Sequence, residues 1–145
     1  MRRLLLTAVA LAIPAAGTVA FAGTASATSP TPVTCTKVVG GVATATVTLK
    51  GCNSGLGKGT AALTAVTTGG VITWKGHVKG TTTVAATANG VGQGGCKTGS
   101  TEVDVTGTVT ADTTGVVTVG SPVSARACIS STGAISLVKH TVLTL

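Results

Sequence analysis

Aromatic and acidic side chains are nearly missing from this chain. It has no tyrosine, one phenylalanine (Phe21), one tryptophan (Trp74) and three acids, Glu102, Asp104 and Asp112. Without aromatics there is no stacking platform of the kind that holds single-stranded nucleic acid or an array of sugar rings. No Cys-x-x-Cys pair, Gly-x-Ser-x-Gly elbow or sustained helical periodicity occurs, which argues against a zinc ribbon, an α/β-hydrolase and a helical bundle. The glycine-rich stretch 90–95 precedes no helix that could offer its N-terminus to a phosphate. No cofactor or metal site is expected.

The scarce acids are the first candidates for chemistry. Glu102 and Asp104 stand two apart, so on a strand they share a face about 6.5–7 Å apart. That separation suits a glycosidase pair, and a hydrolase using Glu102 and Asp104 is the alternative enzymatic reading. A strand face in solvent, with the acids opposite lysines on the next strand, accounts for them better. Asp112 fits the first position of a turn, where its carboxylate can accept backbone N–H groups. His77 and His140 are far apart in the chain and read as surface residues.

The first 27 residues read as an export signal: Arg2 and Arg3, an apolar run from Leu4 to Ile13, Pro14, then Ala25-Ser26-Ala27. Cleavage is expected after Ala27, leaving a secreted chain with no membrane span. Residues 28–32, with Pro30 and Pro32, form an extended lead, and 33–145 are expected to be a single domain. The mature chain keeps eight basic residues against three acids, a net charge of +5. The basic residues look singly spread, without the stripe that nucleic acid requires; the charge suits weak attraction to anionic cell-wall polymers or lipids.

Cys35, Cys52, Cys96 and Cys128 form an even set in an exported domain, which implies two disulfides. Three pairings are possible. Cys35–Cys52 with Cys96–Cys128 is favoured, because the first pair flanks a candidate hairpin.

What remains is a repeated pattern of valine and threonine runs broken by glycine. Residues 42–49 place Ala43, Ala45, Val47 and Leu49 on one face; residues 102–111 place Val103, Val105, Val109 and Ala111 on one face and Glu102, Asp104 and three threonines on the other. Such alternation is that of antiparallel strands with one face in solvent. Turns are expected at Gly40-Gly41, 51–59, Gly69-Gly70, 89–95, 112–115, 120–122 and 130–133, with a strand at VVTV (116–119). Eight to ten short strands follow. The expected fold is an all-β, antiparallel, disulfide-linked β-sandwich, immunoglobulin-like, with a small barrel as runner-up. Trp74 reads as a core anchor; its functional alternative is a ligand-stacking ring between Lys75 and Lys79. Were Thr44, Thr46 and Thr48 to neighbour Thr106, Thr108 and Thr110, they would make a flat hydroxyl array.

The runs Val33–Lys37 and Gly51-Cys52, the segment Cys96–Glu102 and the hairpin 106–115 resemble small secreted proteins of actinobacteria. Those are described as hypothetical, so the resemblance implies export and a disulfide-linked β fold but no activity. A second likeness is to actinobacterial subtilisin inhibitors, whose two disulfides pair in sequence order and whose reactive bond follows the third cysteine. It would put that bond near Cys96-Lys97-Thr98, although this chain lacks their aromatics. The expectation is a secreted, non-catalytic protein with a structural or interaction role toward the cell wall or another exported protein. Protease inhibition is the alternative.

Overall fold

The computed structural model describes residues 31–145; the expected signal and most of the extended lead lie outside the described residues. Nine strands follow in order: β1 (Thr34–Gly41), β2 (Thr46–Cys52), β3 (Gly57–Ala62), β4 (Gly70–Lys75), β5 (Lys79–Gly92), β6 (Ser100–Asp112), β7 (Pro122–Ser130), β8 (Ala134–Leu137) and β9 (Leu143–Thr144). A single helical turn, α1 (Thr64–Thr67), lies between β3 and β4. Each strand from β1 to β8 pairs antiparallel with the next, and β8 returns to pair with β1. The short β9 shares the last slot, pairing with both β1 and β7.

The expected sandwich is therefore corrected to a closed eight-stranded up-and-down barrel. The alternation of faces is the same in both architectures. Closure is decided by pairing between the first and last strands, which no local pattern encodes, and it removes the unpaired edges that an open sheet would expose.

Several connections also fall elsewhere than expected: β3 begins at Gly57, inside the expected loop 51–59, and β5 runs through Gly92, into the expected break at 89–95. Gly40 and Gly41 lie within β1, and the chain reverses through a 3₁₀ turn at Val42–Thr44, with Ala45 left-handed at φ 51°. Ala43 and Ala45 are thus exposed, while Val47 and Leu49 face the interior as expected. The VVTV segment is not a strand: residues 113–121 are a loop whose Val117 is buried. Ala111 is exposed because the register between β5 and β6 shifts at Thr83/Val84, which reverses the alternation and turns Asp112 inward instead.

The core is built from small and β-branched side chains: Val38, Val47, Leu49, Ile72, Val84, Ala86, Val105, Val109, Val123, Ala127 and Ile135 are all buried. Near the ends of β2, β4 and β6 the core is closed by Leu56, Val33, Val117 and Trp74. The disulfides are Cys35–Cys52, between facing residues of β1 and β2, and Cys96–Cys128, as expected.

Candidate anion-binding face

Trp74 is no ligand platform. Its side chain points into the barrel, where it is only 2% exposed. The space for the ring comes from Gly59, its cross-strand partner, where an added Cβ would meet the ring carbons at 2.7–2.8 Å. Its Nε1–H donates to the hydroxyl of Thr82 at 2.8 Å, and that hydroxyl donates to Asp112 Oδ1 at 2.6 Å. The other oxygen of Asp112 accepts from Thr114 Oγ1 and from the Gly115 N–H. Burial tends to raise the Asp112 pKa, but hydrogen bonds from Thr82, Thr114 and Gly115 outweigh it, and the carboxyl sits below its usual value. This chain of contacts ties β4, β5 and the β6–β7 loop together.

Glu102 is a correction as well. It is fully buried rather than solvated, although it lies on the outer face of β6. The loop 93–99, strapped to β7 by Cys96–Cys128, covers it. Opposite stand Cys128 and, next to it, Arg126, not lysine. Arg126 donates to Glu102 Oε1 from Nε at 2.7 Å and also through its terminal nitrogen, while the Gly95 N–H donates to Oε2. The loop can descend this far because residue 94 is glycine: a Cβ there would collide with the carboxylate. The Gly95 hydrogen bond, followed by Arg126 and opposed by desolvation, holds the Glu102 pKa below its usual value. Asp104 lies 3.6 Å from Arg126 Nε and is partly exposed. Both oxygens of Glu102 are committed to Arg126 and Gly95, so Glu102 is a structural clamp with no face open to a sugar.

Lys97 and Thr98 are exposed on the strapped loop. The Lys97 carbonyl accepts the Ser100 N–H at 3.0 Å, closing a turn over the bond that a protease would have to receive as an extended strand. The two expected threonine groups do not meet, since β2 and β6 are separated around the barrel by β3, β4 and β5. His77 is exposed beyond the end of β4, and His140 is exposed in the β8–β9 loop.

The exposed groups that the fold does gather are lysines. Register pairs Lys37 with Lys50, Lys50 with Lys58, and Lys75 with Lys79. Gly59 faces Trp74, so Lys58 and Lys75 stand side by side one step further along the same two strands. Five of the eight basic residues expected in the mature chain thus form one transverse row across β1 to β5, all exposed. Two residues along the strands, on the same outer face, a second row runs parallel: Val39, Thr48, Thr60, Thr73 and Thr81. Neighbouring strands are about 4.8 Å apart, so the lysine row spans about 19 Å at the backbone. Among the described residues the ion pairs are those of Arg126 with Glu102 and Asp104, and no lysine of the row takes part in one. Asp112, which pairs with Thr82 three residues beyond Lys79 on β5, turns inward to the Thr82 hydroxyl.

The row overturns the expectation of singly spread charge. Lys75 and Lys79, singled out beside Trp74, belong to it, while Trp74 lies on the opposite face of the strand. The intervals along the chain are irregular, so no motif scan finds the row. The available signal is the symmetry of the hairpins: Lys50 and Lys58 flank the β2–β3 reversal, and Lys75 and Lys79 flank the β4–β5 reversal at the same end of the barrel. No known protein-family model, curated protein or solved structure matches this chain.

Proposed function

We propose that this is an exported, non-catalytic binding protein that holds a linear polyanion of the cell wall or extracellular matrix along its lysine row. The carrying observation is the alignment of Lys37, Lys50, Lys58, Lys75 and Lys79 on one outer face with no carboxylate among them. Five like charges in one row repel one another in the free protein. A flexible polymer with repeating phosphate, carboxylate or sulfate groups relieves that repulsion and releases its own counterions as it binds. The neighbouring threonine hydroxyls supply hydrogen-bond donors for the same chain. Two disulfides and a closed barrel give the face a rigid backing suited to an oxidising compartment.

Retention of the protein on an immobilised linear polyphosphate, and on purified anionic wall polymer, tests the reading. Binding is expected to weaken steeply with salt and to be abolished by the triple reversal Lys50→Glu, Lys58→Glu, Lys75→Glu. Lys97→Glu, on the strapped loop away from the row, is expected to leave it intact. Equal binding by the triple variant would remove the assignment.

A further inference from the structure

The barrel interior is underfilled. An internal space of about 60 Å³, open to the centre of a water-sized sphere, runs between Val47, Ile72, Val84, Ala86, Val123 and Ala127. Every side chain lining it is apolar. The cause lies in the composition. An eight-stranded barrel has an interior wide enough to need large side chains or a small guest to fill it. Here alanine and valine occupy most inward positions, and the one ring, Trp74, is spent closing the end at Leu56.

A water needs about 10–15 Å³ by this measure and two to four polar partners. There is room for about four to six waters and nothing for them to bond, so the space stays dry. Its lining gives up dispersion contacts that a guest would restore. Over one end lies α1, which contributes Ala65 and Val66 to the lining. This turn is short, and the connection to it is tied across to the β1–β2 turn by the Leu63 N–H to the Ala45 carbonyl.

We infer that the barrel interior is a binding site for a small neutral apolar guest of about three or four heavy atoms, such as a short hydrocarbon, since a cavity of about 150 Å³ is what holds a benzene ring. The site is independent of the lysine row, since those side chains project from the other face of the same strands. Charged or strongly polar ligands are excluded, because no lining group could replace their hydration.

The test is thermal unfolding of the disulfide-intact protein with dissolved propane or isobutane, alongside methyl NMR under xenon. At ten times the dissociation constant, the midpoint is expected to rise by about 4–6 °C. Xenon is expected to shift the methyl signals of Ile72 and Val84 and to leave the exposed Val119 unmoved. Ala86→Ile fills the space with a residue suited to a strand and is expected to abolish both responses; Ala61→Val is a gentler filling variant should the first fold poorly. No ligand-induced shift in the wild-type protein overturns the inference. An undiminished shift in a folded, filled variant also overturns it, by placing the guest elsewhere.

Discussion

Lys58 stands in the middle of the lysine row, so replacing it should move stability and binding in opposite directions. Its neighbours are Lys50, by register, and Lys75, one step beyond the Gly59–Trp74 pair. With side chains splayed to about 8 Å between ammonium groups, each neighbour repels it by about 0.5 kcal/mol in water. Lys58→Gln keeps most of the aliphatic stem and removes the charge. It should stabilise the free protein by about 0.5–1 kcal/mol at about 0.01 M salt and by less than half of that at about 0.15 M, where screening acts over about 8 Å. That corresponds to a low-salt rise in melting temperature of a few degrees. Binding should respond in the other sense. Using about 0.7–0.9 released counterions per contact, five lysines give a slope of about −3.5 to −4.5 for log K against log salt. The affinity for polyphosphate then falls about 100- to 500-fold between about 50 and 200 mM salt. Lys58→Gln should flatten that slope by nearly one unit. Calorimetric melting and a salt series of fluorescence-anisotropy titrations read both quantities on the same samples. A variant that melts lower than wild type at low salt, or binds with an unchanged slope, would refute the argument that the five charges act as one row.

The buried relay at Trp74 predicts that Thr82→Val destabilises the protein by about 1–3 kcal/mol for each group left without its partner, measured by urea unfolding; a loss below about 0.5 kcal/mol would mean that the relay is dispensable. Glu102 and Asp112 both have pKa values lowered by folding, so each stabilises the protein above its unfolded value, near 4.5 and 3.8, and that contribution is lost as pH falls through the folded values. The urea midpoint should therefore hold steady near neutrality and decline below about pH 4.5, with part of the decline absent in Glu102→Gln; an equally steep decline in that variant would contradict the account of the clamp. The Cys96–Cys128 bond closes a loop of 32 residues. Replacing both cysteines by serine should cost about 4 kcal/mol in the chain-entropy model and speed amide exchange at Gly95; unchanged protection there would show that Arg126 and Gly94 hold the loop without the strap.

The strands were legible because alternation is local. Val47 and Leu49, or Val103, Val105 and Val109, announce an inward face from spacing alone, and the disulfides could be paired because Cys35 and Cys52 bracket a hairpin. The places where the structure departs from the local pattern are non-local or hinge on one residue. Ala111 and Asp112 exchange faces because of a register shift between β5 and β6, which leaves no mark in the composition. Glu102 sits at an outward position, and only the descent of a distant loop through Gly94 buries it. VVTV has every propensity of a strand, but the β6–β7 connection takes Val117 to close an end of the barrel. Closure itself depends on β8 finding β1 across almost the whole domain.

The same non-locality explains the candidate site. Positions 37, 50, 58, 75 and 79 follow no period, and their alignment arises because four successive hairpin registers place them at one height. Each register is fixed from the inside: Val38 against Leu49, Leu49 against Gly59, Gly59 against Trp74 and Trp74 against Gly80. A slip of one residue in any pair would bury a lysine and expose its core neighbour, which the apolar interior forbids. The core therefore specifies the charged row on the outside. It follows that Gly59, with no side chain of its own to touch a ligand, controls both. It admits the tryptophan ring, and it sets the pairing that brings Lys58 beside Lys75.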